Sequence, residues 1–127
     1  MARVLVVDDD PAVGLTLSRM LGLEGHEVTR VDSAAAGLEQ VRRAPPEAVI
    51  LDMRMPVMGG LDFLRRLRQS GPSRLPVGIV TGDYFLEEAV LAELGRLGAE
   101  VRYKPVGMDD LSSLMNTLLG RGGGPAA

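Results

Sequence analysis

Five side chains in this 127-residue sequence are of the types, and at the places, that chemistry requires: Asp8, Asp9, Asp52, Thr81 and Lys104. Each follows or ends a short strand-like segment, apolar in every case but the Val101-Arg102-Tyr103 before Lys104. Val4-Leu5-Val6-Val7 precedes Asp8-Asp9-Asp10, Val49-Ile50-Leu51 precedes Asp52, Val77 to Val80 precedes Thr81, and Val101 to Tyr103 precedes Lys104. Apolar runs of this length bounded by breakers predict the buried strands of a parallel sheet, and such sheets present reactive groups just outside the carboxyl ends of their strands. At one sheet edge the three carboxylates repel, and one is pushed to a high pKa unless a cation neutralises them. An all-oxygen donor set without histidine or cysteine selects a hard ion, Mg²⁺ before others. A divalent cation, a carboxylate, a hydroxyl and an ammonium are the parts that phosphoryl transfer needs. Its transition state spreads negative charge over three equatorial oxygens, each wanting a positive or hydrogen-bonding partner, while Asp52 attacks in line as a covalent acceptor.

Positioning these groups takes a scaffold that alternates strands with helices, and the remaining sequence reads that way. Asp10 reads as the N-cap of a helix opening on Pro11; Val13, Leu17, Met20 and Leu21 recur at helical spacing until Gly22 and Gly25. Val28 to Val31 predicts a second, more polar strand suited to a sheet edge. Ser33 caps a helix carrying Leu38 and Val41 that ends before Pro45-Pro46, and Ala48 to Leu51 is the third strand. Beyond a Met55-Pro56 loop, Leu61, Leu64 and Leu67 mark a helix halted by Gly71-Pro72; Leu86, Val90 and Leu97 mark another that ends around Gly98. Asp109 and Asp110 suit the positive start of a last helix with Leu111, Leu114, Met115 and Leu118 inward. The domain is expected over residues 1–119, with 120–127 a flexible Gly-rich tail or the start of a linker. Five strands and five helices in alternation predict an α/β domain with a mainly parallel sheet and right-handed crossovers.

Composition narrows the function classes. Hydrophobic residues at 46% and charged residues at 24% are ordinary for a globular domain. A net charge of -3 leaves no electrostatic footprint for nucleic acid, and Arg65-Arg66-Leu67-Arg68 reads as the solvated face of a helix. With no cysteine, thiolate chemistry, disulfides and cysteine-based zinc sites are excluded. The single histidine, His26, reads as a turn residue rather than a ligand or base. Met1-Ala2-Arg3 runs into a strand without a signal-peptide pattern, and no apolar run is long enough to cross a membrane; a cytoplasmic protein is expected.

Taken together, Val6-Val7-Asp8-Asp9-Asp10, Leu51-Asp52-Met53-Arg54-Met55-Pro56 with Gly60, Val80-Thr81-Gly82 and Tyr103-Lys104-Pro105 resemble the receiver domain of bacterial two-component response regulators, over residues 3–119. Any one segment alone is weak; four in order, each at a strand end, are specific. The resemblance implies a flavodoxin-like (βα)5 fold, doubly wound, with a parallel five-stranded sheet in the order 2-1-3-4-5. It implies that Asp52 is the phosphoacceptor, that Asp8, Asp9, Asp52 and the backbone carbonyl of Arg54 hold Mg²⁺, that Thr81 binds the acyl-phosphate, and that Lys104 pairs with a phosphoryl oxygen. Gly82 suits a position that leaves room for the incoming group. The implied partner is a sensor histidine kinase or histidine phosphotransfer protein. The resemblance implies that the domain catalyses its own phosphorylation and dephosphorylation rather than turning over a separate substrate. It also implies that a switched surface near the fourth helix and fifth strand engages an effector domain, a partner protein or a second copy in a homodimer; direct binding of nucleic acid or membrane is not expected.

Two positions depart from or embellish that pattern. Receivers commonly carry Tyr or Phe three residues before the lysine, where this sequence has Val101; Tyr103, on the same strand face, or Tyr84 is the candidate substitute. Arg54 and Asp83 stand two residues past Asp52 and Thr81, where family side chains flank the phosphoryl group, and their opposite charges predict an ion pair that partly screens it from water. Two rivals remain. An aspartyl-phosphate phosphatase of haloacid-dehalogenase type wants a second aspartate two residues after the nucleophile, where Arg54 stands. A docking or dimerisation module with silent phosphorylation draws support from Val101 but not from the intact Asp8, Asp9, Asp52, Thr81 and Lys104.

Overall fold

The computed structural model describes residues 1–71 and 74–122 of the chain. Strands β1 (Arg3–Val7), β2 (Glu27–Val31), β3 (Ala48–Leu51), β4 (Val77–Thr81) and β5 (Ala99–Tyr103) alternate with helices α1 (Pro11–Leu23), α2 (Ala34–Arg43), α3 (Gly60–Ser70), α4 (Glu88–Arg96) and α5 (Met108–Gly122). The sheet is parallel at every pairing, in the order β2-β1-β3-β4-β5, as a flavodoxin-like receiver fold requires. Central β3 and β4 are buried throughout, whereas β2 and β5, at the edges, alternate or expose side chains. Side chains on the two sheet faces separate the core into two layers. Leu5, Val7, Val49, Leu51, Val77 and Ile79 meet α2, α3 and α4 through Val41, Phe63, Leu64, Leu67 and Leu94. Val4, Val6, Ile50 and Val80 meet α1 and α5 through Leu17, Leu21, Leu111, Leu114, Met115 and Leu118.

Local signals in the sequence set most element ends. The Asp10 carboxylate accepts from the N–H groups of Ala12 (2.9 Å) and Val13 (3.3 Å), with Pro11 in the first turn. The Ser33 hydroxyl accepts from Ala36 N–H at 3.1 Å, and Asp110 accepts from Gly107 N–H at 2.9 Å ahead of α5. His26 lies in its turn but also accepts the Ala2 N–H on Nδ1 at 3.2 Å, fastening the entry to β1.

Three expectations need correction. Leu86 precedes α4, which begins at Glu88 without a side-chain cap, and Leu97 is its C-cap residue. Helix α5 continues through Gly120 to Gly122, so the tail expected from 120 onward is helical for its first three residues; residues 123–127 lie outside the described residues, as does Pro72. The Arg65-Arg66-Leu67-Arg68 segment is only partly a solvated face. Arg65 forms two hydrogen bonds to the Glu93 carboxylate, at 2.6 and 2.7 Å. Arg68 is half-buried and donates to the carbonyls of Leu97 and Leu75, both at 2.8 Å, and its burial lowers its pKa. Both arginines tie α3 to α4 and its surroundings. No helix among the described residues is long and apolar enough to cross a membrane.

Candidate functional site

Because all five strands run in parallel, their carboxyl ends share one sheet edge. Val7 pairs with Leu51 across β1 and β3, so the next residues, Asp8 and Asp52, emerge side by side. Thr81 pairs with Tyr103 across β4 and β5, which places Lys104 one residue beyond. The Asp52 N–H donates to Val7 O at 3.0 Å and the Lys104 N–H to Thr81 O at 2.8 Å, so backbone bonds fix Asp52 against β1 and Lys104 against β4 at the edge. The Lys104–Pro105 peptide is cis.

Four of the five expected side chains converge, and Thr81 ends β4 at the same sheet edge. Asp8, Asp9 and Asp52 each offer a carboxylate oxygen, and these oxygens lie within 4.8 Å of one another. Lys104 Nζ stands 3.7 Å from both Asp8 Oδ2 and Asp52 Oδ1. That is too long for a hydrogen bond, so one ammonium is shared electrostatically between two carboxylates. Asp8 is buried, Asp52 half-buried and Asp9 exposed. Burial pushes the Asp8 carboxyl above its ordinary pKa, against the opposing pull of the Asp10 N–H (2.9 Å) and the Lys104 charge. Asp52 is raised by burial and then by the Asp8 charge, opposed by Lys104 and by the N–H groups of Arg54 and Met53. Three carboxylates against one ammonium leave uncompensated negative charge, and the all-oxygen donor set fits a hard divalent cation. Thr81 is fully buried at this edge, its Oγ1 accepting from Asp83 N–H at 3.0 Å.

The loops that carry these residues are built around small and strained positions. A Cβ on Gly60 would sit 2.9 Å from Asp52 O and 3.0 Å from Met53 Cα, main-chain atoms that cannot step aside. Gly60→Ala is therefore expected to cost about 1–3 kcal/mol in urea unfolding, because the clash bears on the backbone of Asp52 itself. Val57, fully exposed with φ of 68°, forms the centre of a tight turn closed by Met58 N–H to Pro56 O at 2.7 Å. At Gly82 an added Cβ would meet nothing within 4 Å, so the residue after Thr81 is open to space.

The expected Arg54–Asp83 ion pair is present. Arg54 Nε donates to Asp83 Oδ2 at 3.0 Å and Nη2 donates to the same oxygen. The guanidinium holds the Asp83 carboxyl below its ordinary pKa, aided by the Phe85 N–H. Val101 is half-buried against the core and carries no ring. The two tyrosines instead pair with each other: Tyr84 and Tyr103 stack with centroids 5.6 Å apart and planes 21° from parallel. Neither that stack nor the hydrogen bond from Asp83 to Thr81 was expected from the sequence; the bond is a local turn in which a Thr hydroxyl accepts the N–H two residues on, whereas the stack depends on the cross-strand register of β4 and β5.

The response regulator receiver domain family model matches residues 4–116. The chain belongs to that family. Among sequence relatives, the receiver domain is 35% identical over 119 residues to the response regulator MprA of Mycobacterium leprae, covering 94% of this chain and 51% of that protein. It is 34% identical over 120 residues to the probable transcriptional regulatory protein TcrX of Mycobacterium tuberculosis, covering 94% and 50%. The chain thus spans about half the length of these curated relatives. A crystal structure of a response regulator receiver domain protein from Clostridium thermocellum superposes with a TM-score of 0.85 at 34% identity, covering 95% of this chain and 96% of that one.

Proposed function

We propose that this receiver domain accepts a phosphoryl group on Asp52 from a phosphohistidine of a sensor histidine kinase or phosphotransfer protein, in an Mg²⁺-dependent reaction that it catalyses itself. The observation that carries the reading is the convergence of Asp8, Asp9, Asp52 and Lys104 at the sheet edge where β4 ends in Thr81. An Asp52 oxygen attacks phosphorus as the bond to the donor nitrogen breaks, and the electron pair leaves on the imidazole. Asp8, Asp9, Asp52 and the Arg54 carbonyl would hold Mg²⁺, which when bound supplies positive charge to the phosphoryl oxygens. Lys104, shared between Asp8 and Asp52 before transfer, turns to a phosphoryl oxygen as negative charge builds there. The Thr81 hydroxyl accepts from Asp83 N–H through a lone pair, which leaves its proton free to donate to another oxygen. The solvent-screened Arg54–Asp83 pair contributes little stability and acts by limiting the approach of water to the acyl-phosphate.

The released signal passes to a surface near α4 and β5 that engages an effector or partner protein, and the domain works in the cytoplasm. The test is intact-mass measurement after incubation with acetyl phosphate and Mg²⁺, or with a phosphorylated histidine kinase. One added phosphoryl group, lost when the metal is chelated, is the expected result. No adduct with either donor would instead favour the phosphorylation-silent docking module.

A further inference from the structure

Asp83 makes more hydrogen-bonded connections across the active-site edge than the acceptor reaction requires. Its N–H donates to Thr81 Oγ1 at 3.0 Å. Its Oδ1 accepts from Phe85 N–H at 3.0 Å, and its Oδ2 accepts from the Arg54 guanidinium. The carboxylate is thereby anchored on two sides, to the loop that follows β3 and to its own loop, while its backbone touches the Thr81 hydroxyl. The next residue, Tyr84, stacks on Tyr103, which is the β5 partner of Thr81 in the sheet register. Thr81 O also accepts the Lys104 N–H at 2.8 Å. Thr81, Asp83, Tyr84, Tyr103 and Lys104 thus form one closed circuit across the ends of β4 and β5, with unobstructed Gly82 as its pivot.

We propose that Asp83 is a positioning residue that relays movement of Thr81 to the Tyr84–Tyr103 stack, and that this stack is the aromatic readout of the domain. The inference rests on Asp52 as the phosphoacceptor and deepens that reading by naming where its signal emerges. When the Thr81 hydroxyl turns toward a phosphoryl group, the Asp83 N–H bonded to it is drawn along. The Asp83 carboxylate is held by Arg54 and by Phe85 N–H, so the side chain cannot absorb the displacement by swinging alone, and it passes along the backbone to Tyr84. Val101 has no ring to rotate and packs against the core, which leaves the stack as the aromatic element in contact with this circuit. The surface it alters carries three of the four aromatic residues of the chain, Tyr84, Phe85 and Tyr103, all exposed; the fourth, Phe63, is in the core.

The composition supplies the probe. There is no tryptophan, and both tyrosines are in the stack, so intrinsic tyrosine emission of the full chain reports on that pair alone. Emission and intact mass are followed together after adding acetyl phosphate and Mg²⁺ to the wild type, Asp83→Ala and Asp83→Asn. In the wild type, emission should change in proportion to the adduct. In Asp83→Ala the change per adduct should fall below about one third of the wild-type value. Asp83→Asn keeps the N–H and an acceptor oxygen but loses the charge that holds Arg54, and should lie between; it carries the test if Asp83→Ala does not fold. A purely structural role would shift resting emission and leave the phosphorylation-dependent difference intact. A wild-type adduct without an emission change, or an undiminished change in both variants, overturns the relay. Absence of any wild-type adduct overturns the acceptor assignment itself, and the relay falls with its input.

Discussion

Asp52→Asn should abolish the phosphoryl adduct and, in the metal-free protein, make the fold more stable. The first effect is chemical, because an amide oxygen is not the nucleophile that a carboxylate is. The second follows from the crowding at the sheet edge. Asp8 and Asp52 are both raised in pKa by burial, Asp52 further by the Asp8 charge, and one ammonium at 3.7 Å serves both. Asparagine removes one charge yet keeps an oxygen for the N–H groups of Met53 and Arg54. The gain should be about 0.5–2 kcal/mol, the usual size of a trade between an active-site group and stability. The pH dependence has a definite sign. Where the folded state binds a carboxyl proton more tightly than the unfolded chain does, stability falls as pH rises from the ordinary carboxylate pKa through the raised one. The wild type should show that decline without metal, and Asp52→Asn should flatten it. Urea titrations across that window in chelator decide the matter; a variant no more stable than the wild type at neutral pH would mean Lys104 already neutralises the edge.

Phe63→Ala should be the most damaging single core change, with an expected loss of about 3–5 kcal/mol. Phe63 is fully buried on α3. The packing around it is close: a Cβ on Gly37 would stand 3.0 Å from both Phe63 Cε2 and Val7 Cγ2. The ring therefore fills the space between the α2 backbone and β1, and removing it leaves a void that glycine cannot fill. Against a typical domain stability of about 5–15 kcal/mol this loss is severe. A fall in urea midpoint with an unchanged slope is the expected signature; a loss below about 1 kcal/mol would mean that α2 collapses onto the sheet.

The fold was legible in the sequence because the inner strands are apolar runs that end in punctuation and the two edge strands are more polar segments between breakers. Ala48–Leu51 matched residue for residue, and Asp10 and Ser33 announced their helices by hydrogen bonds made within three residues. The site was legible for a related reason: in a parallel sheet, being last in a strand is already a position in space. What failed to show depended on contacts between elements. Leu86 has helical spacing to Val90 yet belongs to a loop, because nothing local caps a helix before Glu88. Glycine at 120 suggested an end to α5, but the turn carrying Leu118 into the core is followed by helix as far as Gly122. Arg65 and Arg68 looked solvated because their partners lie 28 and 29 residues further along the chain. The Arg54–Asp83 pair spans 29 residues as well, but was foreseeable because both residues stand two past a strand end.

Those three arginine contacts share an offset of about one strand-plus-helix unit, and this bears on how the chain finds its fold. From β3 onward every strand pairs with the next one in sequence, so β3, β4 and β5 can assemble in order of synthesis, the β4–α4 unit being caught on arrival by three arginines of the unit before it. The amino-terminal strand has a different history. Lying between β2 and β3, β1 has one open flank until Leu51 is in place. Contacts of short sequence separation are quick to form, so the carboxyl-terminal half should gain amide protection early, and the β1–β3 seam, where Asp8 meets Asp52, should be among the last contacts to close.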